Sequence, residues 1–177
     1  MKITAVEEYG LRCLLRVASH EEDDPISAQT IAEMEGMSVP YTQKILRILT
    51  KSELVESKRG AHGGYYVARP VGDISLGDVM RSLGGFIEVE DLCERHTGDR
   101  DVCSNICNCT IRPVWSHISD FMMQTMDGIP LSLLMEDENV VQNYLAAIPP
   151  TERDTRASAP RSEGASGERA DEQSAMA

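Results

Sequence analysis

The chain has 177 residues, 41% of them hydrophobic and only eight aromatic, with 17 Lys and Arg against 29 Asp and Glu for a net charge of −12. That is enough for one domain with an aliphatic, helical core and a tail. No segment approaches 18 consecutive apolar residues and MKITAVEEYG holds no signal-like apolar run, so the expectation is a cytoplasmic protein, neither secreted nor membrane-spanning. The charge is unevenly spread. Residues 1–82 carry 10 basic and 12 acidic side chains, whereas residues 83–177 carry 7 and 17. Within residues 39–69, Lys44, Arg47, Lys51, Lys58, Arg59 and Arg69 face only Glu53 and Glu56. A phosphate backbone meets this local basic face, not the acidic sum.

From Ala5 to His20 the spacing of Val6, Tyr9, Leu11, Leu14, Leu15 and Val17 predicts a largely buried helix. Ser27 is placed to cap a helix containing Ile31, Ala32 and Met34, which Gly36 closes. Ser38 opens the next helix, with Pro40 in its first turn, where a missing amide hydrogen is harmless. Its inner side carries Ile45, Leu46, Ile48 and Leu49; Tyr41, Thr42, Gln43, Lys44, Arg47 and Lys51 lie elsewhere. Two short helices joined through Gly36-Met37-Ser38 form a helix-turn-helix pattern. Leu54–Ser57 and Tyr65–Ala68 read as strands, and Gly60, Gly63 and Gly64 between them suit a hairpin. A basic, glycine-rich hairpin directly after a helix-turn-helix is a wing.

On this pattern the exposed residues of the second helix, Ser38, Tyr41, Gln43, Lys44 and Arg47, reach major-groove base edges and phosphates. Lys58 and Arg59 sit near the wing tip, Arg59 suiting a narrow minor groove. Ser75 is expected to cap a short helix through Met80. A long helical pattern starts near Ile111 or Arg112 and carries Val114, Trp115, Ile118, Phe121, Met122 and Met126; such an apolar stripe outside the winged domain suits a dimer seam. A further short helix is expected from Leu131 to Glu136. After Pro149-Pro150 the composition turns to Ala, Ser, Glu and Arg, which is expected to be disordered.

Between wing and long helix, Cys93, Cys103, Cys107 and Cys109 fall within seventeen residues. Their neighbours are hydrophilic, among them Glu94, Arg95, His96, Asp99 and Asn108, so these are not core thiols. Cys13, in the apolar first helix, is. In a reducing cytosol clustered thiols point to metal binding or redox chemistry more than to structural disulfides. Zinc sites commonly use Cys-x-x-Cys pairs, and none is present. An iron–sulfur cluster tolerates irregular spacing on a flexible loop, and redox-sensing thiols are the remaining alternative.

The segments MKITAVEEYGLRCLL, ISAQTIAEMEGMSVPYTQKILRIL and SKRGAHGGYYVARP resemble the Rrf-type winged-helix transcriptional regulators, a family that includes iron–sulfur regulators of the IscR, NsrR and RirA kind and the cluster-free CymR. The resemblance spans about residues 1–140. It implies a cytoplasmic homodimer that binds an operator in double-stranded DNA and carries a 2Fe–2S or 4Fe–4S cluster on Cys93, Cys103 and Cys109. The family's last two cysteines have five residues between them, as Cys103 and Cys109 do. Where IscR-like chains place a histidine ligand, this chain has Arg112, which cannot ligate iron. The resemblance offers Glu8 of the partner subunit as fourth ligand, and the extra thiol Cys107 is the other candidate. His96 reads first as a solvated loop side chain.

The expected fold is mainly α: a winged helix-turn-helix domain over residues 1–83, a cysteine-rich loop over 84–111, a dimerisation helix and short following helix over 112–148, and a tail over 149–177. The expected function is a DNA-binding regulator, a repressor, controlled by an iron–sulfur cluster that senses iron, redox or nitric oxide status. The rivals are a cluster-free thiol-redox or metabolite-responsive regulator of the same fold and a zinc-stabilised DNA-binding protein. A thiol oxidoreductase is disfavoured, since no thioredoxin-like αβ pattern accompanies Cys107 and Cys109.

Overall fold

Helix caps set the frame of the N-terminal domain. A computed structural model describes residues 3–21, 24–60, 63–85 and 94–148; Cys93 and the tail expected from residue 149 lie outside the described residues. Helix α1 (Ala5–Ala18) starts in a capping box, with the Glu7 amide donating to the Thr4 hydroxyl and the Thr4 amide donating to the Glu7 carboxylate at 2.9 Å. Helix α2 (Ala28–Glu35) is capped by Ser27, whose hydroxyl accepts from the Thr30 amide at 3.1 Å. Gly36 ends it in the left-handed region at φ 66°, and the Met37 amide bonds back to the Ala32 carbonyl at 2.9 Å. Helix α3 (Val39–Lys51) follows at once, with Pro40 in its first turn.

Together α1, α2 and α3 bury Cys13, Leu14, Val17, Ile31, Ile45, Leu46 and Leu49 in one cluster, each large apolar side chain contributing roughly 1.5–3 kcal/mol. Thr42 belongs to the inner face as well. It is fully buried, with its hydroxyl donating to the Ser38 carbonyl at 3.2 Å. Its methyl fills the core and the hydroxyl is satisfied one turn back, so a polar residue type sits inside without an orphaned group.

The hairpin is present with its strands shifted by one residue from expectation. Strands β1 (Val55–Lys58) and β2 (Gly64–Val67) pair antiparallel with Val55 opposite Val67 and Lys58 opposite Gly64. Its root is held on the other side by the α1–α2 linker: Tyr65 and Ile26 exchange backbone bonds of 2.8 and 3.1 Å. Gly64 permits this approach, because a Cβ there would lie 2.7 Å from the carbonyl oxygens of Pro25 and Ile26.

Helix α4 (Leu76–Leu83) opens with the Ser75–Asp78 capping box and closes at Gly84 with φ 79°. Helix α5 (Arg112–Asp127) and helix α6 (Glu138–Ala147) complete the described elements, with a 3-10 turn at Leu131–Met135 between them. The turn stands where the short helix is expected, whereas α6 has no counterpart among the elements read from the sequence. Leu131 and Ile74 are fully buried and join the turn to the winged core. The Leu76 amide bonds to the Ile129 carbonyl at 2.8 Å and the Leu131 amide to the Ile74 carbonyl at 2.7 Å. Tyr144 of α6 donates to the Gly128 carbonyl at 2.8 Å. Along α5 no residue is buried, and its apolar stripe of Val114, Trp115, Ile118 and Phe121 is exposed.

Candidate nucleic-acid interface and cysteine loop

The burial of Ile45, Leu46 and Leu49 fixes the rotation of α3 and thereby turns Gln43, Lys44 and Arg47 outward, where all three are exposed. Gln43 offers the paired donor and acceptor that match an adenine edge, and the two cations suit phosphate oxygens. Ser38 is exposed at the start of the helix and its side chain makes no cap hydrogen bond. Tyr41 differs from the others of the set. It is half-buried, with its ring edge-to-face on Tyr9 of α1 at 6.1 Å between centroids, so it braces α3 against α1. Lys58 at the end of β1 and Arg59 just beyond it are exposed on the wing. Lys44 and Arg47 on α3 and Lys58 and Arg59 on the hairpin are thus four exposed cations on two successive elements.

The described part of the cysteine loop is built of turns, with the Ile106 amide bonded to the Cys103 carbonyl at 3.1 Å and the Asn108 amide to the Asn105 carbonyl at 3.2 Å. Cys107 is exposed; Cys103 and Cys109 are half-buried. Cys109 sits where the loop enters α5, and its Sγ accepts from the Arg112 amide at 3.3 Å. The backbone amides of Arg112 and Ile111, then the Arg112 charge, hold the Cys109 thiol below the ordinary thiol range despite partial desolvation. Unpaired helix N–H groups and the positive end of the helix dipole favour the thiolate there. The Arg112 guanidinium donates to the Ile106 carbonyl at 3.1 Å, so the residue in place of the expected histidine staples the loop to the start of α5. Cys13 is the opposite case: full burial, then the nearby charge of Glu35, push its thiol up to about 12.

Glu8 is exposed on α1 and is engaged by Arg12, Nη2 to Oε1 at 2.7 Å. His96 is exposed in the loop. Among the described residues no three His, Cys, Asp or Glu side chains converge on a metal-sized space, and Cys93, the first expected ligand, lies outside them. No helix among the described residues is long and apolar enough to cross a membrane.

Helix pair, wing and outward cations in this order are the frame of a winged-helix regulator, and a family model described as Rrf2, iron-dependent transcriptional regulator, matches residues 3–137. The chain belongs to the Rrf2 family. The protein named rrf2 from Nitratidesulfovibrio vulgaris is 33% identical over 150 residues, covering 85% of this chain and 97% of the relative. The HTH-type transcriptional regulator IscR of Photobacterium profundum is 31% identical over 140 residues, covering 79% and 78%. Among solved structures, T. potens IscR superposes with a TM-score of 0.57 at 30% identity, over 75% of this chain and 84% of that one. CymR, the global cysteine regulator of B. subtilis, superposes with a TM-score of 0.59 at 27% identity, over 76% and 96%. The protein is therefore a transcriptional regulator with the winged helix of its family, and its relatives are regulators, not enzymes.

Some interactions at this surface have no signal in the sequence pattern. The pairing of Ile26 with Tyr65, the Tyr9–Tyr41 contact and the Arg81–Asp127 ion pair link residues far apart in sequence, and Arg81–Asp127 extends a local run of pairs through Asp78 to Arg69.

Proposed function

We propose that the protein is a homodimeric operator-binding repressor, with Ser38, Gln43, Lys44 and Arg47 of α3 and Lys58 and Arg59 of the wing contacting DNA, and with an iron–sulfur cluster setting its affinity. The observation that carries the sensing part is Cys109: a thiol drawn toward the thiolate and fixed at the first turn of α5 by the Arg112 amide. Thiolate is the form that binds iron. The donor set fits in kind, with Cys93, Cys103 and Cys109 as thiolate ligands and Glu8 of the partner subunit or Cys107 as the fourth. When bound, the cluster supplies a redox-active and oxidant-labile group.

The chain's own residues supply the rest of the mechanism. Cys109 and the Arg112 staple connect the loop to the start of α5, so a force on the loop is delivered along that helix. The exposed Val114, Trp115, Ile118 and Phe121 are an unpartnered apolar stripe, and a second copy covering it would fix the separation of the two wings. Two wings at fixed separation read two half-sites, and a change in α5 shifts the balance between DNA-competent and incompetent forms. Glu8 reaches a ligand role by leaving Arg12, a surface ion pair that holds it only weakly.

The test is anaerobic purification followed by iron and sulfide counts, visible spectra and native mass spectrometry. Iron and sulfide in a dimer, lost in Cys93→Ala, Cys103→Ala and Cys109→Ala, support the reading; a colourless, iron-free protein after anaerobic reconstitution refutes it. Loss of cluster in Glu8→Ala with retention in Cys107→Ala selects the carboxylate as fourth ligand, and the converse selects the thiol. The likeness to CymR and the exposed Cys107 beside Cys109 favour one alternative, regulation by thiol oxidation without a cluster, which predicts an iron-free protein whose DNA affinity changes with peroxide.

A further inference from the structure

Four charged side chains that neither the DNA surface nor the cysteine loop uses run from the root of the wing to the far end of α5. Arg69, two residues beyond β2, donates to Asp78 Oδ2 at 2.9 Å. Asp78 Oδ1 accepts from Arg81 at 2.9 Å, and Arg81 also donates to Asp127, the last residue of α5, at 2.7 Å. Isolated surface ion pairs contribute little, so the setting has to decide whether this chain does more.

The surroundings of the chain give it leverage. Asp78 is also the capping-box residue of α4, accepting from the Ser75 amide at 3.1 Å, so it cannot follow a neighbour without uncapping that helix. Partial burial works against its charge, yet Ser75, Arg81 and Arg69 hold the carboxyl below the usual carboxylate range. At the α5 end the two helices approach closely: a Cβ on Gly77 would stand 3.2 Å from the Asp127 amide nitrogen and would displace the Asp127 carboxylate. The backbone bonds Leu76 to Ile129 and Leu131 to Ile74 clamp the same joint. At the wing end, the Ala68 amide bonds to the Leu54 carbonyl at 3.1 Å immediately before Arg69. Both ends of the chain are thus tied to backbone, and the ion pairs span the gap between them.

We propose that Arg81 and Asp127 are positioning residues for DNA binding, coupling the C-terminal end of α5 to the wing through Asp78 and Arg69. The inference rests on the wing contacting DNA and is independent of what the cysteines hold. Coupling is reciprocal, so DNA engaged by the wing must alter the end of α5 as surely as α5 alters DNA affinity. It assigns the signal path a physical element, a bonded charge chain between two backbone clamps, in place of mere proximity.

Hydrogen exchange by mass spectrometry on the full-length protein as purified, with a duplex that it selects from a random-sequence pool, tests this. In the parent protein the duplex is expected to slow exchange several-fold both in residues 55–67 and in residues 124–131. Arg81→Gln and Asp127→Asn are expected to keep the protection of 55–67 and lose that of 124–131, the double variant losing no more than either single one. Circular dichroism before exchange selects variants that retain parental helicity, two substitutions on opposite sides of one bond guarding against a misfolded one. Unchanged exchange of 124–131 in the parent, or an equal response in the variants, overturns the coupling. A duplex that binds without protecting 55–67 overturns the wing contact and the coupling with it.

Discussion

Gly64→Ala is the substitution whose consequence follows most directly from distances in the structure. The added Cβ would stand 2.7 Å from the carbonyl oxygens of Pro25 and Ile26 and 2.8 Å from the Pro25 carbonyl carbon. These are backbone atoms, so no rotamer change relieves the overlap, and the linker must move by about 0.7 Å to reach an ordinary van der Waals separation. If it moves, the two backbone bonds between Ile26 and Tyr65 are broken or stretched, at about 0.5–1.5 kcal/mol each. If it stays, overpacking costs about 1–3 kcal/mol. Alanine narrows the unfolded ensemble and returns about 0.4–1 kcal/mol; against the middle of either cost, about 2 kcal/mol, that leaves a net destabilisation of about 1–2 kcal/mol. For a chain of this length that lowers Tm by about 2–8 °C. The same loosening frees the wing root, so affinity for a selected duplex falls while the α3 surface is untouched. Thermal melts by circular dichroism and fluorescence anisotropy with labelled duplex read the two effects. An unchanged or raised Tm together with parental affinity would refute the close-approach argument.

Lys44→Ala and Arg47→Ala are each expected to flatten the dependence of log affinity on log salt by about 0.9 for every phosphate no longer neutralised; a slope equal to that of the parent would remove these residues from the interface. The metal-free protein is expected to alkylate Cys109 with a rate–pH midpoint below that of an ordinary thiol, since the Arg112 and Ile111 amides favour its thiolate. Arg112→Gln raises that midpoint only in part, because both amides remain, and a Cys109 midpoint at or above the ordinary thiol range would contradict the assignment. Cys13 gives a stability signature of the opposite sense. Its folded thiol is pushed from 9.0 up to about 12, so above pH 9 the unfolded chain binds fewer protons than the folded one at this site. The contribution is fully present below pH 9 and is lost as pH rises toward 12. Urea melts of the parent are expected to weaken over that window more steeply than those of Cys13→Ala, and parallel pH profiles would refute the buried-thiol reading.

Local chemistry made much of the domain legible. Ser27, Ser75 and Gly36 mark helix ends because a cap depends on side-chain oxygens and backbone angles within a few residues of each other. The periodicity of Ile45, Leu46 and Leu49 fixed which way α3 faces, and hence that Gln43, Lys44 and Arg47 point outward. The thiol-rich loop is marked by composition alone, four cysteines among hydrophilic neighbours.

The helix pair, the wing, the basic face and the thiol loop are all properties of neighbouring residues, and order along the chain was enough to specify them. Packing settled which distant groups meet. It buried Thr42 by returning its hydroxyl to the Ser38 carbonyl, and it set Tyr41 against Tyr9 as a brace beside the exposed Gln43, Lys44 and Arg47. The pairing of Ile26 with Tyr65 explains why Gly64 follows Gly63, and the approach of α5 to Gly77 brought Asp127 to Arg81, 46 residues away in sequence. Periodicity and capping act over a few residues of chain, whereas these contacts depend on which helix faces the core leaves adjacent once it has packed.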